Sequence, residues 1–206
     1  MARPREFDED VVLEAVIQCF WNNGYEATSI KDLVDNTGIT AASLYNAFGD
    51  KRALFRIALD RYAERGVGER IRRFEKLPPL EAIEAFFKEI LARSLSDPHH
   101  KGCLLVNSAL EVAPHDPEFQ ETISLVLRRI EEFFLKSVRN GQAAGSITRS
   151  QSARKLAQHL LAVLMGVRVL ARVRPEKSLL HGVIEPALAL LQHSANEAPS
   201  DSLEPT

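Results

Sequence analysis

Apolar residues in this chain recur at intervals of three and four positions from Leu13 to Leu191, and nowhere alternate with polar ones over a useful length. A period near 3.6 marks amphipathic helices and a period of 2 marks half-buried strands, so the pattern commits the chain to an all-α fold. Leu13, Val16, Ile17 and Phe20 form the first stripe, with Asp8 as N-cap and Gly24 as the closing residue. A second, short helix starts after Thr28 or Ser29, packs Ile30, Leu33 and Val34, and ends at Gly38. A third opens at Thr40, sets Leu44 and Phe48 on one face, and breaks at Gly49-Asp50. The fourth is expected to run without interruption from about Lys51 through Tyr62 toward Arg73.

Pro78-Pro79 marks the next boundary, followed by a helix carrying Ile83, Phe86, Phe87, Ile90 and Leu91. Ser96-Asp97-Pro98 ends it, and a short helix is expected over about residues 101–112, stopped by Pro114. Asp116-Pro117 is a restart with Asp at N-cap and Pro at the first helical position. That helix should reach about Asn140 and stop in the segment Gly141–Gly145. Two further helices, about 150–173 and 176–193, are rich in Leu, Val and Ala, and Pro186 should kink or restart the second. These elements divide into a helix-turn-helix head at residues 6–66, a larger helical body at 67–195 and a polar, flexible tail at 196–206.

Composition narrows the setting. With 206 residues, 45% of them hydrophobic and 26% charged, the chain is long enough to bury a core and has an ordinary globular balance. No uncharged apolar run reaches the roughly 18 residues of a membrane span, and the charged first ten residues do not read as a signal peptide. Two cysteines, Cys19 and Cys103, make no disulfide framework, and the simplest setting is a reducing cytoplasm. Residues 1–66 hold 8 Lys/Arg against 11 Asp/Glu, so net charge argues against a nucleic-acid partner. The distribution argues for one, because between Asp35 and Asp50 there is no charged residue, and a surface pressed on phosphates must above all lack carboxylates.

Two short helices joined through Thr37-Gly38-Ile39-Thr40 have the shape of a helix-turn-helix. If Ala41, Leu44 and Phe48 face inward, the outer face of the second helix presents Ala42, Ser43, Tyr45 and Asn46. Small residues let a helix backbone approach a major groove. Hydroxyls on Thr40, Ser43 and Tyr45 suit phosphate oxygens, Asn46 suits a base edge or a phosphate, and Lys51 adds a phosphate contact. The strings Gly24-Tyr25-Glu26-Ala27-Thr28-Ser29-Ile30 and Gly38-Ile39-Thr40-Ala41-Ala42-Ser43-Leu44-Tyr45-Asn46-Ala47-Phe48-Gly49-Asp50-Lys51 closely resemble the N-terminal signature of the TetR family of regulators. The resemblance covers about residues 7–60. It implies a three-helix head on double-stranded operator DNA, with Thr28, Ser29, Thr40, Ala42, Ser43, Tyr45, Asn46 and Lys51 as contacts. It also implies a helical ligand-binding body, a homodimer through the last two helices, and repression relieved by a small-molecule inducer. Ala42 and Asn46 differ from other members, so no operator sequence carries over.

In the body, Gly102-Cys103-Leu104-Leu105-Val106-Asn107 through Glu111, with Pro114-His115-Asp116-Pro117, resembles a branch of that family in which some members respond to thiol-reactive compounds. Cys103 lies near a helix start after His99, His100 and Lys101, where the helix dipole and cations favour thiolate. It reads either as a sensor or as a small apolar filler beside Leu104-Leu105-Val106, whereas Cys19 reads as buried and inert. Phe86, Phe87, Ile90, Cys103, Asn107, Glu111, Phe119 and Phe133 are candidates for an apolar ligand pocket, though the phenylalanines, with Phe134, also suit a core. His99, His100, Cys103, His115 and Asp116 match no compact zinc spacing, so neither a metal nor a cofactor is expected. Arg3 and Arg5 suit either a disordered tail or an arm reaching DNA.

The last two helices are apolar nearly all round from Leu156 to Leu170 and from Leu179 to Leu191, which one chain cannot cover alone. A four-helix bundle with a second copy covers them. No nucleophile elbow, phosphate loop, His-Glu-x-x-His or supported carboxylate pair is present, so no catalytic residue is expected. The alternative to a regulator is a helical protein-binding adaptor on the same scaffold that has lost DNA binding.

Overall fold

Caps and stops decide where helices begin and end in the computed structural model, which describes residues 7–193. The expected tail from residue 196, and Arg3 and Arg5, lie outside them. Helix α1 (Glu9–Asn23) starts at Asp8, whose carboxylate accepts from the backbone N–H groups of Asp10 and Val11, and closes at Gly24. Helix α2 (Ile30–Thr37) begins with a reciprocal box in which Ser29 and Asp32 each accept from the other's backbone. Gly38, at φ 72°, then turns the chain in the left-handed region that a side-chain-bearing residue enters only with strain. Thr40 caps α3 (Ala41–Phe48) by accepting from Ser43 N, and Asp50 caps α4 (Lys51–Ala63) by accepting from Ala53 N at 2.8 Å.

The expected uninterrupted fourth helix is instead three pieces in line. A π-helical turn at Glu64–Gly68 separates α4 from α5 (Glu69–Phe74). Beyond Pro78 come α6 (Pro79–Ser96) and α7 (Leu104–Glu111), the latter beginning three residues later than expected. Helix α8 (Pro117–Ala144) starts on Asp116 as anticipated but runs past Gly141 to end at Gly145. Gly141 serves packing rather than termination: it is buried beneath the Ile147 side chain, which leaves no room for a Cβ. The last elements are α9 (Ala153–Val173) and α10 (Lys177–Ala189), and Pro186 sits inside α10 without ending it.

Two apolar clusters form, and they do not follow chain order. The first joins α1–α4 to Cys103–Val106, Val112, Phe119 and Ile123, so α7 and the start of α8 complete the core of the helix-turn-helix unit. Its centre is aromatic: Phe55 lies 4.9 Å from Phe20 and 5.2 Å from Phe119 between ring centroids. The second cluster joins Val67, Ile71 and Phe74 to α6, the rest of α8, α9 and α10. Helix α9 is long and apolar enough by length and composition to cross a membrane, but its inner residues Leu156, Leu160, Leu164 and Val167 are packed into that second core.

Candidate nucleic-acid interface and effector cavity

Packing Leu44 and Phe48 against α1, α2 and α4 orients α3. The opposite face is free: Thr40, Ala42, Tyr45 and Asn46 are exposed, and Ser43 is half-buried. Tyr45 keeps 43% of its surface accessible. The Thr40 and Ser43 hydroxyls lie 3.0 Å apart at the first turn. Lys51 begins the next helix, where its ammonium donates to Glu26 O at 3.3 Å and rests 4.6 Å from the Tyr25 ring centroid. Two of its three donors stay available. Two carboxylates of the helix-turn-helix unit are spent on structure: Asp50 caps α4, and the Ser29 hydroxyl and backbone N–H hold Asp32 below the usual carboxylate range. The result is an exposed, uncharged face followed by a cation at the start of the next helix.

One expected contact is corrected. The Thr28 side chain is fully buried, and its hydroxyl donates to Gly24 O at 2.5 Å. It locks the loop between α1 and α2 from inside, so it offers no side chain to a partner. Ser29, one residue later, is exposed, its hydroxyl tied into the box with Asp32 at 2.7 Å.

A cavity of about 540 Å³ lies where α1, the π turn, α6, α7 and α9 meet. It takes Phe86, Ile90 and Cys103 from the expected pocket but not the other five. Phe87 stacks on Phe134 at 5.7 Å, Phe133 packs on Phe86 at 5.4 Å, and Phe119 belongs to the first core. Helix α7 turns Leu105 and Val106 to the cavity and Asn107 and Glu111 away from it, into a separate space of about 400 Å³. There Asn107 donates to Lys101 O at 3.0 Å and Glu111 accepts from Glu26 N at 2.9 Å. These two residues tie backbone segments together.

What sequence reasoning missed in the cavity is its polar half. Cys103 is the N-cap residue of α7, buried, with the Tyr62 hydroxyl donating to its Sγ at 3.7 Å. Burial opposes the thiolate, but the Arg168 guanidinium, the Val106 and Leu105 N–H groups and the Tyr62 hydroxyl outweigh it and hold the thiol below its ordinary range. The same burial pushes the Tyr62 phenol up. Tyr62 and Arg168 are far from Cys103 in the chain, so no local pattern marks them.

The cavity wall is also part of the helix-turn-helix unit. Ile17, Gln18 and Trp21 of α1 line it. Around it, Arg65 pairs with Glu14 at 2.9 Å and Lys101 donates to Gln18 Oε1 at 3.0 Å. On the other side of the unit, Arg52 grips Asp116 through two bonds of 3.0 Å and Arg56 reaches Glu118 at 3.0 Å.

This architecture matches known proteins along nearly its whole length. Residues 12–57 match the family model "Bacterial regulatory proteins, tetR family", and residues 79–185 match "Tetracyclin repressor-like, C-terminal domain". The uncharacterized HTH-type transcriptional regulator YezE of Bacillus subtilis is 31% identical over 93% of this chain and 100% of its own. The HTH-type transcriptional repressor ComR of Escherichia coli is 31% identical over 82% of each chain. Among solved structures, a cysteine mutant of the TetR family regulator CifR, complexed with 26-base-pair operator DNA, superimposes with a TM-score of 0.81 at 33% identity. It covers 91% of this chain and 98% of that one. Sequence, fold and domain order agree: the chain belongs to the TetR family of bacterial transcriptional regulators.

Proposed function

We propose that the protein is a cytoplasmic, dimeric repressor that holds a pseudo-palindromic operator through α3 and lets go when its body cavity is occupied or its thiol is modified. Regulation, not catalysis, is its activity. The observation that carries this reading is the exposed, charge-free face of α3. Residues 6–66 act as the DNA-binding head and 67–195 as the ligand-binding and dimerisation body.

Ala42 lets the helix backbone approach the groove, the hydroxyls of Thr40, Ser43 and Tyr45 meet phosphates, that of Ser29 does so on leaving Asp32, Asn46 meets a base edge or a phosphate, and Lys51 meets a phosphate. The dimer forms through α9 and α10. On α9, Ala162, Val169 and Val173 lie in one exposed apolar stripe at helical spacing, which a second copy would cover. Two heads then meet half-sites about one helical turn apart, roughly 34 Å. Because α1 forms a wall of the cavity, a ligand that fits one head spacing better than another shifts the equilibrium by that difference in affinity.

An electrophoretic mobility shift with the DNA flanking its own gene tests the reading. A discrete, competitor-resistant complex is expected. Retardation no stronger than that of unrelated DNA would contradict it and favour a protein-binding adaptor.

A further inference from the structure

The cavity walls carry a charge their own residues do not neutralise. Arg65 is matched by Glu14, whereas Arg70 and Arg93 share the single carboxylate of Glu89 at 3.1 and 3.2 Å, and Arg73 pairs with it too. Asp97 is occupied by its own loop, accepting from His99 N at 3.1 Å and Lys101 N at 2.7 Å. Arg168 has no carboxylate within salt-bridge distance among the described residues, and its Nη1 donates instead to Oγ of the buried Ser94 at 3.1 Å. Crowding has a cost: burial, with Arg168 and Arg93 nearby, pushes Arg70 down to about 10. The indole Nε1 of Trp21, on the same wall, is buried without a hydrogen-bond partner. Glu69, which is exposed, and Lys101 also line the cavity with Gln18, Tyr62 and Ser96, and Ile17, Phe86, Ile90 and Leu164 are prominent in its apolar part.

We propose that this cavity is built for a small organic carboxylate with an apolar aromatic or medium-chain body, its carboxylate on Arg168 and its body against Phe86, Ile90 and Leu164. The inference rests on reading the cavity as the effector site and names the class of effector. A guanidinium offers five N–H donors and meets a carboxylate through two parallel bonds, and only one donor of Arg168 has a protein partner. Arg168 is the lining arginine with no carboxylate of its own among the described residues, and beside the apolar part of the wall it suits a singly charged anion. A phosphate ester would carry a second charge into that apolar lining. The volume, about 540 Å³, falls within the range of small-molecule pockets. An anion on Arg168 also withdraws from Cys103 the charge that favours its thiolate, so occupancy slows thiol alkylation.

Trp21 is the one tryptophan of the chain and lines the cavity, so its fluorescence reads occupancy directly. The full-length protein is titrated with 3-phenylpropanoate and with its neutral amide, and Arg168→Gln is titrated alongside. The acid should bind the wild type about tenfold or more tightly than the amide, the scale of one charge-assisted pair, and Arg168→Gln should erase that preference. Iodoacetamide labelling of Cys103 in the wild type should slow with the acid and not with the amide at equal concentration. Equal affinity for acid and amide, or no saturable response to either, overturns the proposal with no variant needed. An unchanged acid preference in a folded Arg168→Gln overturns it as well. Operator binding without ligand is measured on the same preparation. If it is intact while the acid preference is absent, only the ligand class fails; if it is absent, the regulator reading fails on its own.

Discussion

Cys103 and Cys19 are both buried, yet their surroundings set them apart. Burial, followed by the Asp32 charge, raises the Cys19 thiol, while Arg168, two backbone N–H groups and Tyr62 lower that of Cys103 despite its own burial. Cys103 also lines the cavity, which gives a small reagent a route to it. Iodoacetamide at neutral pH should label Cys103 well before Cys19 by peptide mass spectrometry, and Tyr62→Phe should slow that labelling. Equal rates would remove the thiol-responsive arm, as would an electrophilic inducer that still releases Cys103→Ser from DNA. The residue types at this site were legible in the sequence, but their company was not. A helix start beside Cys103 was visible, whereas Arg168 and Tyr62 reach it from α9 and α4. Asn107 and Glu111 were misplaced because sequence gives a helix's periodicity without saying which neighbour each face will meet. Thr28 failed differently, its hydroxyl satisfying a local carbonyl before any partner could.

Capping residues made the short elements readable. Asp8, Ser29, Thr40 and Asp116 each stand where their side chains satisfy the first free N–H groups of a helix. Asp50→Ala, which removes the cap of α4, should cost about 1 kcal/mol in urea unfolding; a loss near zero would show the cap adds nothing. The π turn at Glu64–Gly68 left no such mark, since widening one turn does not disturb the apolar spacing on either side. Glu64 sits at its start, and hydrogen bonds from Arg129 and then Arg72 pull its carboxyl down to about 2. A carboxyl lowered on folding contributes stability that is present above its unfolded value, about 4.3. That contribution disappears as pH falls toward 2. Glu64→Gln should therefore flatten the dependence of stability on pH between about 4 and 2. An identical acid profile for both proteins would show that these ion pairs contribute nothing, as exposed pairs sometimes do.

At the scale of the molecule, the two apolar clusters explain how a signal could pass. The helix-turn-helix unit does not stand on a linker. Its core is completed by α7 and the start of α8, and its first helix walls the cavity, so the cavity and the helix-turn-helix unit share residues. Under the proposed dimer, the exposed stripe Ala162, Val169 and Val173 of α9 is the surface that a second copy covers. Val169→Asp should shift sedimentation from dimer toward monomer and weaken operator binding with it; a dimer of unchanged stability would move the interface elsewhere. The central claim is that the uncharged face of α3 enters the DNA groove. Fluorescence anisotropy of a labelled operator duplex tests it most directly, with wild type, Tyr45→Ala and Lys51→Ala titrated at the same salt. Each variant should lose affinity by about 1 kcal/mol, the scale of one hydrogen bond, and Lys51→Ala should also flatten the salt dependence. Wild-type affinity in both would contradict the account.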